Sequence, residues 1–147
     1  MSAPFASQEW ATSFAGLLRE DARVRTESMT WVFGPLVLVT DPDAEHGFDG
    51  AALRVDLHEG DVRGISLVEL DDEQRVPFAI GGSLARWKAM FGGQLAIVDG
   101  VLESKLRVRG DLPTLVRHRA LLEAITRVGA TVETVWQDEA VGATTAV

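Results

Sequence analysis

Leu53, Val55 and Leu57 alternate with Arg54, Asp56 and His58, the period-two pattern of a strand with one dry and one wet face. Glu59-Gly60-Asp61 is a turn, and Val62 to Leu70 returns as the hairpin partner. A half-buried sheet needs a covering layer, and the flanking sequence supplies helical patterns for it. Trp10, Phe14, Leu17 and Leu18 recur at i, i+4, i+7 and i+8 behind Ser7, a residue suited to an N-cap, and this first helix is expected to end near Arg25. Asp111 with Pro113 just inside starts a final helix whose apolar side is Leu112, Leu115, Val116, Leu122, Ile125 and Val128, with Gly129 as its expected C′ residue.

The elements between follow the same logic. Met29 to Val39 is rich in β-branched and aromatic residues on both parities, which predicts a strand covered on two faces, bulged or at an edge where Pro35 removes a donor. Asp41-Pro42-Asp43 opens a polar loop, and Asp71-Asp72-Glu73-Gln74 reads as a solvated turn. Val76, Phe78 and Ile80 alternate with Pro77, Ala79 and Gly81, a strand with one bulky and one nearly bare face. Ser83 caps a short helix carrying Leu84, Trp87 and Phe91, stopped by Gly92-Gly93; Gln94 to Val98 forms another turn or two, closed by Asp99-Gly100. Leu106 and Val108 then alternate with Lys105, Arg107 and Arg109, a strand with a dry and a cationic face. Thr131 to Trp136 has strand composition or is an extended tail, and residues past Gln137 read as frayed. The order is one helix, four strands, two short helices, a strand and a helix. That is an α+β domain with helices on one side of a largely antiparallel sheet.

Charge and composition limit what such a domain does. The chain has 147 residues, a net charge of −8 and no cysteine. One domain is expected, without disulfide, thiolate nucleophile or sulfur-built zinc site. The charge argues against nucleic acid as a partner. It is uneven: Arg86, Lys88, Lys105, Arg107, Arg109, Arg117 and Arg119 outnumber Asp99, Glu103 and Asp111. Such a cationic patch suits an anionic ligand or transient membrane contact. The longest apolar run, Trp31 to Val39, is too short to span a bilayer, and nothing near Met1 reads as a secretory signal, so a cytoplasmic protein is expected.

Catalytic signals are poor. His46 in a turn and His58 on a wet strand face read as surface residues, and His118, between Arg117 and Arg119, as surface or boundary. None has metal-ligand spacing. Ser83 follows Gly81-Gly82, but Ala85 stands where a nucleophile elbow needs glycine, so an N-cap is the better reading. The glycines at 81, 82, 92 and 93 form no nucleotide loop, and the acidic turns lack the ligand spacing of a calcium loop. No cofactor, metal site or catalytic residue is therefore expected. What stands out is an excess of large apolar side chains in short, glycine-punctuated elements: Trp31, Phe33, Phe78, Trp87, Met90, Phe91, Leu95 and Ile97. Either they fill a core or the two short helices roof a cavity.

From Val76 to Ile125 the chain resembles the sterol carrier protein type 2 family of lipid-binding domains. The resemblance rests on a strand, two short helices around a glycine break, and the strand end Lys105-Leu106-Arg107-Val108-Arg109-Gly110-Asp111 leading into the last helix. With the hairpin at Gly60 and the leading amphipathic helix it extends over roughly residues 7 to 128, leaving 129–147 as a C-terminal extension of a single domain. Trp31-Val32-Phe33-Gly34-Pro35 departs from the family pattern, which has an uninterrupted strand there. The resemblance implies a five-stranded sheet with helices on one face, enclosing an apolar tunnel for acyl chains, sterols or similar molecules. Trp31, Phe33, Phe78, Ile80, Trp87, Met90, Phe91, Leu95 and Ile97 would then line or border the tunnel. Arg86, Lys88, Lys105 and Arg107 would meet a head group or a membrane surface. Non-catalytic carriage of a hydrophobic small molecule is the leading expectation. The alternatives are an enzyme that cyclises or isomerises a hydrophobic intermediate in the same cavity, and a self-associating accessory protein, for instance a homodimer.

Overall fold

The local start signals act where the sequence puts them. In a computed structural model, which describes residues 2–139, the Ser7 hydroxyl accepts from Trp10 N at 3.2 Å and opens helix α1, Gln8–Glu20. Asp21 accepts from Val24 N and starts α2, Ala22–Glu27, so the expected single helix is broken at Asp21. The buried stripe of α1 is Trp10, Phe14 and Leu18, as the period requires. Upstream, the short strand β1, Ala3–Pro4, precedes this pair.

The sheet follows. Strand β2 is Leu36–Thr40, much shorter than the expected strand from Met29. The reason is Gly34-Pro35: Gly34 takes φ +88, its carbonyl turns back to accept from Trp31 Nε1 at 2.8 Å, and Pro35 offers no donor. Strands β3, Ala51–His58, and β4, Asp61–Val68, form the hairpin, with an irregularity between Asp56 and Leu57. Strand β5 is Phe78–Gly82 and β6 is Arg107–Arg109. The order across the sheet is β4-β3-β2-β5-β6. All neighbours are antiparallel except the central β2 and β5, which run parallel with Leu36 opposite Phe78 and Leu38 opposite Ile80.

Between β5 and β6 lie α3, Leu84–Phe91, and α4, Ile97–Leu102; after β6 come α5, Leu112–Arg117, and α6, Arg119–Thr131. Ser83 caps α3 through Arg86 N, and Asp111 caps α5 through Thr114 N. Two expected stops prove to be notches inside helices. Gly100 sits within α4, where a Cβ would come within 2.7 Å of Leu106. Gly129 sits within α6 rather than beyond it, under the ring of Phe91. The last helical pattern is also split, at His118. Finally β7, Thr134–Val135, pairs in parallel with β1.

The inner face of the sheet, with Leu36, Leu38, Leu53, Val55, Leu57, Phe78 and Ile80, joins the buried sides of the helices in the main core. The outer face is not left bare. Val37, Val39, Ala52, Val76 and Ala79 form a second small core, with Val68 and Leu70 packed against it at the Leu70–Gln74 turn. That turn is not the solvated loop its four polar residues suggest, because Glu73 is buried. Arg107 explains it: Nε and Nη2 donate to the Glu73 carboxylate at 2.6 and 2.9 Å, and Nη2 reaches Asp41 at 3.0 Å. The guanidinium lies over Gly81, where any Cβ would overlap it. Residues 140–147, within the tail read as frayed, lie outside the described residues.

Candidate ligand-binding site

The aromatic residues that stand out in the sequence separate into two groups, one at each end of the central strands. Phe78 opens β5 and α3 follows its far end, so the groups are roughly 13 Å apart at a strand rise of about 3.3 Å per residue. At the near end Trp31 and Phe33 meet Phe78 at ring separations of 5.2 and 5.7 Å. At the far end Trp87 donates its indole N–H to Val39 O at 2.8 Å, spanning from the helical layer to the end of β2. Beside it Phe91 packs among Phe5, Trp10, Phe14, Trp87 and Trp136 at 5.9–6.4 Å. Ile80 is fully buried on the inner sheet face between the groups. Met90 and Ile97 are buried and Leu95 is half-buried.

Two clefts flank Phe91, both open to solvent. One, of about 260 Å³, is bounded by Lys88, Phe91, Gln94, Gly129, Val132 and Trp136. The other, of about 380 Å³, is bounded by Met90, Phe91, Leu95, Ala96, Thr126 and Ala130. Phe91, Gly92 and Ala130 border both. The ring of Phe91 rests on the glycine notch at 129, and the residue contributes to the wall of both clefts. The smaller cleft falls below the roughly 300–1,000 Å³ usual for small-molecule sites, and the larger lies just inside that range. The residues after α6 close the far side: Trp136 stacks on Phe5 at 4.4 Å, and Gln137 Nε2 donates to Phe5 O. The stretch after Gly129, an extension by its sequence, is thus packed against the domain as far as it is described. Phe5, Trp10, Phe14 and Trp136 belong to this aromatic group without having been singled out as site residues. Trp10 and Phe14 were legible as a helix stripe, whereas Phe5 and Trp136 carry no local signal.

The four candidate head-group cations are distributed differently. Lys88 borders the smaller cleft, its Nζ held by Asp138 and Glu139, each at 3.0 Å. Partial burial works against its charge, but the bonds from Glu139 and Asp138 outweigh that and hold its pKa above the ordinary lysine value. Arg86 is exposed in the first turn of α3, and Lys105 lies 3.5 Å from Glu103. Arg107 faces the opposite side of the sheet, its charge met by Glu73 and Asp41.

His118 is buried, not a surface or boundary residue. Its ring packs edge-on against Trp31 and Phe33 at 5.1 and 5.6 Å. Nδ1 lies 2.8 Å from Thr114 O, a carbonyl that can only accept, so Nδ1 carries the proton. In the neutral ring Nε2 then accepts from the Thr30 hydroxyl at 3.1 Å. Nδ1 thus closes the end of α5, and Nε2 joins the α5–α6 break to the loop before β2. His46 lies in the Ala44–His46 turn, 3.0 Å from Asp43. With Glu45 these are the one group of potential metal ligands found among the described residues. The Asp43 hydrogen bond raises the His46 pKa, and the same bond lowers that of Asp43. A histidine NMR titration is therefore expected to place His46 above the usual value of about 6.5, and Asp43→Asn to bring it down toward that value. The stabilisation from the His46 shift is present below about 6.5 and is lost as pH rises through the raised value. The Asp43 contribution is lost at the acid end, as pH falls through its lowered value.

The architecture, a mixed five-stranded sheet with helices over its inner face, defines an α+β domain of known type. Its order and topology match a crystal structure of sterol carrier protein 2, with a TM-score of 0.79 and 28% identity over 87% of this chain and 98% of that one. A conserved protein of Thermus thermophilus, described as possibly a sterol carrier protein, matches at a TM-score of 0.79 and 27% identity, covering 92% and 94% of the two chains. A ubiquinone synthesis protein, UbiJ-SCP2, shares the fold alone, at a TM-score of 0.52 and 14% identity over 85% and 96%. No protein-family model matches the sequence, and no curated protein does. The first two likenesses support a sterol carrier protein 2-like family for the chain, in agreement with the resemblance carried by residues 76–125. Among the described residues no helix is long and apolar enough to cross a membrane.

Proposed function

We propose that this protein binds a hydrophobic small molecule, an acyl chain or a sterol-like compound, between its helices and the inner face of its sheet, and carries it without transforming it. The observation that carries this reading is the likeness in fold, over nearly the whole of both chains, to sterol carrier protein 2. The clefts at Phe91 support an entry there. The ligand's apolar part displaces the Phe91 ring and runs along Met90, Leu95 and Ile97 toward Ile80, with Trp87 beside it. Trp31, Phe33 and Phe78 border the far end of this path. Lys88 meets a carboxylate or phosphate at the entrance by exchanging it for Asp138 and Glu139. Arg86 and Lys105 stand as further cations for an anionic head group.

The energetics suit a carrier. Each methylene removed from water contributes about 0.8 kcal/mol. Ten contribute roughly 8 kcal/mol, against several kcal/mol for ordering. Micromolar affinity or better follows without any reactive group. Native mass spectrometry after incubation with a bacterial lipid extract is expected to show one ligand per protein. Repeated recovery of the bare chain at excess lipid contradicts the reading.

A further inference from the structure

Of the described residues that bound the smaller cleft at Phe91, only Lys88 carries a charge. That charge is already met from within the chain. Lys88 Nζ donates to both carboxylate oxygens of Asp138, at 3.1 and 3.0 Å, and lies 3.0 Å from Glu139 Oε1. Both acids belong to the C-terminal segment, Asp138 standing 50 residues beyond Lys88. The segment is brought there by contacts independent of Lys88. Strand β7 pairs with β1, the Thr134 hydroxyl accepts from Trp10 Nε1 at 2.8 Å, and Trp136 stacks on Phe5. Gln137 Nε2 donates to Phe5 O, and Glu139 N closes a turn onto Trp136 O at 3.0 Å. That turn sets the two acids against the last turn of α3, where Lys88 lies.

This is the arrangement of a head-group site that is filled by the chain itself. A partly buried ammonium at a cleft edge meets carboxylates, the group that a free fatty acid would present to it. The side chains of Lys88, Asp138 and Glu139 are 34%, 35% and 54% exposed, so each pair is weak and can be exchanged. Exchange still disfavours an incoming acid. The two carboxylates are tethered and return at high effective concentration, and once displaced they add negative charge beside an anionic cargo. The larger cleft supplies no substitute, because Arg127 at its rim is held by Asp21 at 3.1 Å. An uncharged amphiphile needs none of these exchanges. Gln94, at the edge of both clefts, has a neutral donor and acceptor for a hydroxyl or ester.

We infer that Asp138 and Glu139 are an internal stand-in for an anionic head group, and that by holding Lys88 they select uncharged amphiphilic cargo over free fatty acids. The inference rests on the proposed binding at Phe91. Its test is competition by palmitic acid and by hexadecanol against a pyrene-labelled alkane. The wild type is compared with the double variant Asp138→Asn, Glu139→Gln. The variant is expected to bind the acid about three- to tenfold more tightly, with its affinity for the alcohol within about twofold of wild type. In a Lys88→Gln background the same two changes are expected to strengthen acid binding by no more than about twofold, which separates release of Lys88 from loss of repulsion. Glu20→Gln with Asp61→Asn, two exposed acids that border neither cleft, is expected to leave both affinities unchanged. Three results overturn the inference and leave the carrier reading standing: no gain for the acid, an equal gain for the alcohol, or a gain that persists in full with Lys88→Gln. Failure of the labelled alkane, the acid and the alcohol to bind any of these proteins overturns both.

Discussion

Phe91→Ala is expected to lower folding stability by about 3–5 kcal/mol, the usual cost of emptying an aromatic core position. The ring is buried and sits among Phe5, Trp10, Phe14, Trp87 and Trp136, so its removal strips one face from each neighbour. For a chain of this length that corresponds to a fall in Tm on the order of 10 °C, which thermal denaturation followed by circular dichroism reads directly. The same substitution cuts back a wall that the two clefts share. Binding of a fluorescent long-chain fatty acid is therefore expected to survive, or to tighten, in protein that has lost this much stability. Loss of probe binding in folded Phe91→Ala would show that the ring is part of the site's wall rather than its gate. Gly129→Val makes the complementary case: its side chain would overlap the ring in place, so stability falls without any cleft being joined.

Gly110→Ala is the second change with a large expected effect. Gly110 has φ +116, a region that disfavours every residue with a Cβ, and the added carbon would sit 2.6 Å from Pro77 O and closer still to the Phe78 ring. The carbonyl belongs to the sheet entry and cannot swing aside as a flexible side chain would. Backbone strain and overlap together are expected to cost roughly 2–4 kcal/mol. Urea denaturation should show a lower midpoint with an unchanged slope. An alanine variant as stable as wild type would mean that the β6–α5 connection is looser than this geometry.

Glycines also illustrate how much of the molecule is legible in its sequence. Where a signal acts on its near neighbours, it reads correctly. Ser7, Ser83 and Asp111 cap helices because the N–H groups they satisfy lie three residues ahead. The hairpin at Gly60 and the α+β class follow from periods of two and 3.6 for the same reason. Where the partner is distant, the reading fails. Gly100 and Gly129 look like helix stops, and only Leu106 and Phe91 reveal them as packing notches. Glu73 resembles its acidic neighbours until Arg107, 34 residues on, draws it inside. His118 between two arginines looks wet, yet Thr30 and Trp31, far upstream in sequence, bury it. The excess of large apolar side chains is legible in the sequence. Its division into two aromatic groups was not, because that depends on β2 being cut short at Gly34-Pro35.

The central claim is that cargo sits between the helical layer and the inner sheet face, entering at Phe91. Methyl NMR with a spin-labelled stearic acid tests it most directly, since broadening reports which side chains the chain-borne label approaches. At one equivalent the methyl signals of Met90, Leu95, Ile97 and Ile80 are expected to broaden, while those of Leu17 and Leu67 on the outside remain sharp. Sharp interior methyls at saturating fatty acid, or broadening confined to exposed side chains, would contradict it.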